Sequence, residues 1–241
     1  MLGPTTAQYS ELVDALLQRG PAELRALAPG DTSYAEIIAG VAVSRATAKC
    51  SPERLAWLLT GIGFRESSIG AAADLVDGTG DFGSRIATPK HIADGRHQII
   101  ADLPALLALG RWSPPRDEHG GVLSGPYAIP LDGLGYGRSE WQHDFDAHPE
   151  VVEARDGASM LLWRSARWAC DQAALRFLAD LEVLGAERMA LAAYNCGVGG
   201  VRRALSAGVN IDTFTTGSKG SKVGDYSRWI LDRLQGWGVP A

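Results

Sequence analysis

Apolar residues recur at helical spacing along much of this chain, and the clearest run starts at residue 51. Its apolar positions are Leu55, Leu58, Leu59 and Ile62. Residues three and four apart lie on one face of a helix, so this run predicts an amphipathic helix with a buried stripe. Ser51 followed by Pro52 is the order of a helix N-cap and a proline in the first turn. We therefore expect a helix that begins at Ser51 and ends near Glu66.

The same pattern predicts helices elsewhere, separated by segments rich in glycine and proline. The predicted helical ranges are 5–19, 33–49, 96–109, 151–184, 187–194, 201–206 and a last helix with Asp225 as its cap. Pro104 should begin or kink the helix within 96–109. The range 151–184 fits either one long helix or a pair. Short strands are expected around residues 75–90 and 122–137.

These elements predict a mainly helical fold with a few short strands or loops. We expect residues 1–50 to form N-terminal helices that pack on a main domain of residues 51–241. The stretch from 111 to 132 is dense in proline and glycine. Because long structured loops are often functional, we expect a loop insertion near residues 85–132 that forms one wall of a cleft. At 241 residues the chain is long enough to bury a full core.

Composition excludes some classes of function. Hydrophobic residues make up 46% of the chain and charged residues 21%, as in an ordinary globular protein. The formal net charge of −5 argues against a nucleic-acid partner, because such proteins usually present a basic face. No segment contains the ~18 apolar residues of a membrane span, and the first twenty residues lack the pattern of a signal peptide. Cys50, Cys170 and Cys196 are interpreted as small hydrophobic residues, with a Cys170–Cys196 bridge left open.

Glu66 is the first candidate for chemistry. A carboxyl group beside a buried stripe loses hydration, and desolvation raises its pKa. A carboxylic acid needs a raised pKa if it is to donate a proton near neutral pH. The alternative is a solvated glutamate at a helix end, since the Ser-Ser-Ile-Gly that follows is an ordinary helix exit.

Two further segments make the pattern more specific. Residues 135–142 are Gly-Tyr-Gly-Arg-Ser-Glu-Trp-Gln, and residues 190–201 form a small-residue helix that runs into Ala-Tyr-Asn-Cys-Gly-Val-Gly. An apolar helix ending in Glu-Ser, followed in order by these two segments, resembles the lysozyme-like superfamily, in particular its lytic transglycosylases and goose-type lysozymes. The resemblance covers about residues 50–235.

The resemblance implies a lysozyme-like helical fold, with the short strands and loops lining a sugar cleft. Glu66 would act first as general acid and then as base, and Ser67 is the usual neighbour of that acid. Tyr194 would hydrogen-bond near the acid and orient it. Asn195, with the glycine-rich turn after it, would shape the wall that binds sugar.

The middle segment departs from the pattern of the family. Where the family carries Leu-Met-Gln, residues 138–140 are Arg-Ser-Glu. Tyr136 is a substrate-binding candidate in this segment. Glu140 is either a second catalytic carboxylate or a neighbour that raises the pKa of Glu66. Alternatively the alignment is displaced, and Gln142 supplies the amide that contacts substrate.

Goose-type lysozymes use aspartates that follow the acid to hold a water molecule, which by resemblance makes Asp77 and Asp81 catalytic candidates. Both lie in a glycine-rich loop, where an Asp-Gly pair is also ordinary turn chemistry. Their spacing also imitates the first ligands of a calcium loop. Phe82 and Thr88 stand where such a loop needs glycine and glutamate, which argues against calcium.

We expect no metal and no cofactor. The segment from His143 to His148 contains residue types that bind metals, but its spacing matches no zinc motif, so a solvated loop is favoured. Cys196 raises the alternative of a thiol nucleophile, yet nothing beside it marks an activated thiolate. Trp112 and Trp141 are the tryptophans expected in loops, where they would stack on sugars.

The expected function is therefore cleavage of the β-1,4 bond between N-acetylmuramic acid and N-acetylglucosamine in peptidoglycan, by a lytic transglycosylase or a muramidase. The alternatives are a non-catalytic peptidoglycan-binding module on the same scaffold and a chitinase- or chitosanase-like hydrolase. The partner would be the glycan strand, together with an immunity or inhibitor protein if the chain is a secreted effector. It would act in the periplasm or cell wall, and phage lysis or a specialised secretion route would deliver it there.

Overall fold

The computed structural model describes residues 6–28, 30, 32–73, 75–117, 119–207, 211 and 224–240. The fold is mixed, with about 53% of residues in helices and short strands in small antiparallel sheets. The mainly helical expectation agrees with this architecture at a coarse level. Within the described ranges, no helix is both long enough and apolar enough to cross a bilayer.

The helices in chain order are α1 (Thr6–Arg19), α2 (Tyr34–Arg45), α3 (Pro52–Ser67), α4 (Pro89–Ala93), α5 (Leu103–Ala108), α6 (Pro149–Val152), α7 (Ala166–Leu184), α8 (Glu187–Ser206) and α9 (Asp225–Gly236). Single 3-10 turns span Ala22–Arg25 and Leu162–Arg164. The prediction of helix α1 is confirmed from residue 6 onward, while Thr5, the alternative start, lies outside the described residues.

The strands are β1 (Leu27–Ala28), β2 (Thr32–Ser33), β3 (Thr79–Gly80), β4 (Arg85–Ile86), β5 (His97–Ile100), β6 (Tyr127–Pro130), β7 (Gly137–Arg138) and β8 (His143–Asp144). Strands β1 and β2 pair with each other. Strand β7 lies between β3 and β8, and β6 lies between β4 and β5. The two three-stranded sheets thus tie the glycine-rich loop after α3 to the segments around residues 130 and 140.

Helix α3 carries Glu66 out of the core, and its ends form as the sequence predicts. The Ser51 hydroxyl accepts the N–H of Arg54, and Pro52 occupies the first turn. The helix ends at Ser67, and Ser68 adopts the left-handed conformation with φ of 49°. Both the predicted start and the predicted end of this helix are confirmed.

One hydrophobic core joins the first helices to the later ones. Helix α2 packs on α3 and α7, and α9 packs on α3 and α8. Fully buried members of this core include Leu16, Ile38, Leu55, Trp57, Trp141 and Phe177. A second core supports the segment from β5 to the turn before α7, and contains Leu106, Trp112, Tyr127, Tyr136 and Trp163. Trp112 and Trp141 are therefore core side chains, which corrects their assignment to sugar-stacking loops.

The helix predicted over 96–109 is wrong in its first part. His97–Ile100 is strand β5, whose register on β6 runs from His97 opposite Pro130 to Ile100 opposite Tyr127. A short apolar run fits either a strand or a helix, and here pairing with β6 decides. The helical part starts only at Leu103, with Pro104 in its first turn as expected.

Two other boundaries also differ from the prediction. Of the long helix or pair expected over 151–184, the long element α7 begins only at Ala166, where Ser165 caps it by accepting the N–H of Trp168, and the earlier part holds only the short helix α6 and a 3-10 turn. Asp225 is the first residue of α9, and Gly224 takes the cap position. The glycine-rich break expected after residue 194 is present as a kink in α8, where Gly197 has φ of 73° and ψ of 157°. Only glycine adopts that conformation without strain.

Candidate active site

A cavity of about 880 Å³ lies beside the end of α3. Its wall includes the carboxylates Glu66, Asp81, Asp144 and Asp180, the cations Arg85 and Arg176, and the polar residues Gln142, His148, Tyr194 and Asn195. This volume lies within the range of ligand-binding pockets, about 300–1,000 Å³. The lining combines acids, cations and amides, which is the composition expected of a site for a polar ligand.

Glu66 occupies the last turn of α3 and is partly buried. The Tyr226 hydroxyl donates a hydrogen bond to its Oε1 atom. Burial raises the pKa of Glu66, and the Tyr226 hydrogen bond together with the charges of Arg176 and Arg65 opposes part of that rise. The net direction is upward, so the protonated acid persists to higher pH than that of an exposed glutamate. Glu66 thus has the property needed to donate a proton.

Tyr226 is the partner of Glu66 that the sequence did not reveal. It lies in the first turn of α9, is buried, and stacks with Tyr194 at a centroid distance of 6.4 Å. Burial and the neighbouring Glu66 carboxylate raise the pKa of Tyr226 well above the ordinary tyrosine value, so its hydroxyl stays a donor. The two residues are 160 positions apart, and no local pattern connects them.

Tyr194 lines the cavity, but its hydroxyl does not bond to the acid. It donates instead to the carbonyl oxygen of Trp141 at 3.1 Å. The Trp141 indole N–H in turn donates to the carbonyl oxygen of Leu59 on α3, also at 3.1 Å. Tyr194 therefore links α8 to the segment under the cavity, and the orienting bond that the resemblance assigned to it belongs to Tyr226.

Asn195 is exposed on the cavity wall, next to the kink at Gly197. Arg176 from α7 donates through Nη2 to the carbonyl oxygen of Tyr194 at 2.5 Å, which fixes the chain just before the asparagine. The Arg176 guanidinium also lies over the Tyr194 ring, 4.3 Å from its centroid. The structure thus places Asn195 where its amide can reach a ligand.

In the middle segment, residues 135–142, the side chain of Gln142 lines the cavity and that of Glu140 does not. The Gln142 amide donates to the carbonyl oxygen of Ser139 at 2.6 Å, which holds the side chain in place. A Cβ atom on Gly137 would lie 1.9 Å from Oε1 of Gln142, so any larger residue there would displace the Gln142 side chain. Of the alternatives weighed for this segment, the displaced alignment agrees best with the geometry.

The candidate second carboxylates divide between two pockets. Asp81 shares the cavity with Glu66. Asp77 and Glu140 line a different pocket of about 620 Å³, where Glu140 accepts a hydrogen bond from the Tyr34 hydroxyl at 2.7 Å. Asp77 and Glu140 therefore line a pocket other than the one that Glu66 lines, and their catalytic role stays a prediction.

Two predicted substrate-binding residues are internal. The Ser67 hydroxyl donates to the backbone carbonyl of Glu140 at 2.7 Å and accepts the N–H of Gly70 at 2.9 Å. Tyr136 is fully buried, and its hydroxyl donates to the carbonyl of Ala128 at 3.0 Å. Both side chains are occupied by backbone groups, so they hold the walls of the site and do not reach substrate.

Arg176 and Asp180 are site residues that the sequence reading missed. They are one turn apart on α7, so both project from the same face of the helix into the cavity. Burial raises the pKa of Asp180, and the nearby Arg176 lowers it by less. The helical spacing in the sequence could have indicated this placement. Ala173, Ala174, Phe177 and Leu181 form the buried stripe of α7, and positions 176 and 180 lie on the stripe beside it.

Asp144 and Arg85 form a charged pair at another part of the wall. Arg85 donates through Nη2 to Asp144 Oδ2 at 2.6 Å. Burial alone would raise the pKa of Asp144, but Arg85 and two backbone N–H groups bring it below its usual range. Asp144 is thus ionised and occupied, which makes it a poor base.

The expectation of a solvated loop at 143–148 is wrong at its start. His143 is fully buried in β8, and Nε2 lies 2.9 Å from the carbonyl oxygen of Ala169. Burial lowers its pKa to about 4, so it is neutral near pH 7. The three cysteines are free, and burial raises the pKa of the Cys196 thiol, which gives no support to a thiolate nucleophile.

No protein-family model, curated protein or solved structure matches this chain. The resemblance to lysozyme-like enzymes therefore depends on the three sequence segments alone and stays a prediction.

Tyr226→Phe should raise the pKa of Glu66 further. The tyrosine hydroxyl bonds to the ionised carboxylate and favours that form, so its removal favours the protonated acid. Carbon-13 NMR of the Glu66 carboxyl across a pH series measures the midpoint directly. Tyr194→Phe is the control. It also removes a tyrosine hydroxyl, but that hydroxyl bonds to the Trp141 carbonyl, so the titration midpoint of Glu66 should not change. An unchanged midpoint in Tyr226→Phe would show that the hydrogen bond is not formed in solution.

Proposed function

We propose that this chain cleaves the β-1,4 bond between N-acetylmuramic acid and N-acetylglucosamine, with Glu66 as the general acid and base. One observation carries the proposal: a carboxyl group with a raised pKa, positioned by Tyr226, opens into a cavity of about 880 Å³. The Ala-Tyr-Asn and Gly-Tyr-Gly segments, which resemble those of the lytic transglycosylases and goose-type lysozymes, supply Asn195 and Gln142 to the same cavity.

The chemistry assigns two steps to Glu66. In the first, the protonated acid gives its proton to the glycosidic oxygen, the bond from that oxygen to the anomeric carbon breaks, and positive charge develops on the sugar. In the second, the resulting carboxylate removes a proton from the attacking hydroxyl as the new bond to the anomeric carbon forms. Arg176 and Arg65 then favour the ionised state that the second step needs.

The group that attacks the anomeric carbon distinguishes a lytic transglycosylase from a muramidase. Attack by the hydroxymethyl group of the muramic acid gives a 1,6-anhydro sugar and needs no second carboxylate. Attack by water gives a reducing end and requires a group to hold that water. Asp81 and Asp180 are the cavity carboxylates suited to that task, because Asp144 is paired with Arg85.

Mass spectrometry of the soluble products tests the proposal. Purified peptidoglycan, incubated with the wild-type chain, should release muropeptides. Anhydro ends would identify a lytic transglycosylase, and reducing ends a muramidase. Binding to the insoluble wall with no soluble product at any enzyme concentration would reject cleavage in favour of the wall-binding module.

The carboxylates of the cavity also favour a second candidate, a hydrolase for glucosamine polymers. The wall carries four carboxylates and two arginines, and Arg85 is shared between Asp144 and Asp146. A chain of protonated glucosamines would be attracted to such a wall. Release of oligosaccharides from chitosan, with none from peptidoglycan, would select this candidate.

The setting of the reaction follows from the substrate. A peptidoglycan-cleaving enzyme would work in the periplasm or the cell wall, with glycan strands as its partner. If the chain is an injected effector, an immunity or inhibitor protein would cover the cavity beside Glu66.

A further inference from the structure

A cluster of metal-binding side chains lies outside the residues that line the Glu66 cavity. It consists of His91 from α4, His97 from β5 and Asp146 from the loop after β8. One ligand atom from each of the three lies within 4.8 Å of the others. The two imidazole rings are 4.7 Å apart between centroids. Two neighbouring elements, α4 and β5, therefore bring two nitrogen ligands to the same place as one oxygen ligand from a loop some fifty residues later in the chain.

His97 is held as a metal-binding histidine usually is. Its side chain is fully buried, Nδ1 lies 3.1 Å from Asp94 Oδ1, and Nε2 lies 2.8 Å from Asp146 Oδ1. In metal sites one ring nitrogen binds the ion while the other donates to a carboxylate, which fixes the ring and its tautomer. Asp94 is placed to be that carboxylate, and its own Oδ1 also accepts the N–H of Arg96.

His91 completes the set from the more exposed side. Its Nε2 atom lies 3.7 Å from Asp146 Oδ2, and its side chain is 13% exposed. The Nδ1 atom accepts the N–H of Thr88 over a long 3.3 Å, at the start of α4. The ring is thus turned with Nε2 toward the aspartate, and an ion can reach the cluster from this face.

The charges around the cluster favour a cation. The carboxylates near the cluster are those of Asp94, Asp144, Asp146 and Glu153, and they outnumber the two guanidinium groups of Arg85 and Arg96 that pair with them. A divalent cation would be attracted to this excess of carboxylates.

We propose that His91, His97 and Asp146 bind one divalent transition-metal ion. Two imidazoles and one carboxylate are borderline ligands of the kind that zinc, and its neighbours in the transition series, prefer over calcium or magnesium. On binding, Nε2 of each ring bonds to the metal through its lone pair in place of its contact with Asp146. Any proton that this nitrogen carries passes to solvent.

Such an ion would fasten the insertion to the active-site wall. Helix α4 and strand β5 belong to the insertion, whereas Asp146 is two residues from Asp144 and from His148, which both line the cavity. The metal would thereby fix the loop after β8. This inference does not depend on the proposed glycosidase activity, because its readout is metal content.

Zinc titration of the 241-residue chain tests the site. After treatment with a chelator and dialysis, the wild-type chain should bind one zinc ion by calorimetry and retain one by elemental analysis. Cobalt(II) in place of zinc should give visible absorption bands of a nitrogen- and oxygen-bound ion. Zinc should also raise the melting temperature, since an ion that binds only the folded state stabilises it.

Variants distinguish this site from adventitious binding. His91→Ala and Asp146→Asn should abolish stoichiometric zinc, and Asp94→Asn should weaken it by about 10–100-fold, as loss of an outer partner does. His119→Ala, an exposed histidine on another loop, is the matched control and should bind as the wild type does. Circular dichroism identifies any variant that fails to fold, and His91, whose side chain is 13% exposed whereas that of His97 is fully buried, tolerates substitution better than His97. Substoichiometric zinc on the wild type, or equal affinity in folded His91→Ala, would overturn the proposal.

Discussion

Glu66→Gln should reduce release of soluble muropeptides by about 10²–10⁴-fold, the usual contribution of a general acid. Glutamine matches the shape of glutamate and can still accept the Tyr226 hydrogen bond, but it has no proton to give. Initial rates on purified peptidoglycan, measured for both proteins across pH, provide the comparison. Wild-type activity should fall at high pH, where Glu66 is deprotonated, and burial places that fall above the pH of an exposed glutamate.

Glu140→Gln is the matched control for this substitution. Glu140 undergoes the same chemical change, but it bonds to Tyr34 in the other pocket, so activity should stay near the wild-type rate. Full activity in Glu66→Gln, together with loss in Glu140→Gln, would move the acid to the middle segment and reject our assignment.

The stability of Glu66→Gln separates a lost acid from a lost fold. Since burial raises the pKa of Glu66, ionisation is harder in the folded than in the unfolded protein. Folded stability therefore falls as pH rises from the unfolded-state pKa through the folded-state pKa. The neutral amide removes that penalty, and the variant should melt at an equal or higher temperature than wild type at pH 7. A clear decrease would mean that the amide is not tolerated at this position.

Trp141→Ala should lower the free energy of unfolding by about 3–5 kcal/mol, the typical cost of removing a large buried aromatic side chain. Trp141 is fully buried in the main core, against α3 at Gly63, where an added Cβ would lie only 3.1 Å from the indole nitrogen. Its N–H bond to Leu59 is lost as well. Because domains are stable by about 5–15 kcal/mol, this is a large fraction, and urea unfolding measures it.

Trp141→Phe separates packing from the hydrogen bond. Phenylalanine keeps most of the buried surface but has no N–H, so the expected loss is about 1–2 kcal/mol. Both variants keep the backbone carbonyl that accepts the Tyr194 hydroxyl, so that link does not confuse the comparison. A loss below about 1 kcal/mol in Trp141→Ala would mean that the segment around residue 141 is not part of the cooperative core.

Local chemistry explains what was predictable in the fold. The Ser51-Pro52 start and the apolar spacing after it specify helix α3, because a cap and a periodic stripe act within a few residues. The kink at Gly197 was likewise foreseeable from a cluster of glycines. Strand β5 was not, because its apolar run becomes a strand only by pairing with β6, some thirty residues later.

The candidate site residues were also predictable only in part. Glu66, Asp81, Gln142, Tyr194 and Asn195 were all candidates, and the fold brings them to one cavity. Asp77, Glu140, Ser67 and Tyr136 were candidates by the same kind of reasoning, and they lie elsewhere or face inward. Position in a motif does not state which way a side chain points, and a strand or turn reverses it from one residue to the next.

The sequence by itself determined the helix that ends beside Glu66 and made Glu66 the candidate acid, because capping and apolar spacing act within short stretches. Only the tertiary structure decided which groups surround Glu66. Tyr226 reaches Glu66 because α9 docks on α3, and Arg176 and Asp180 reach the cavity because α7 packs against α8. The cluster of His91, His97 and Asp146 depends on the contact of α4 and β5 with the loop after β8. Contacts between such distant residues arise from burial of shared apolar faces, which no local pattern encodes.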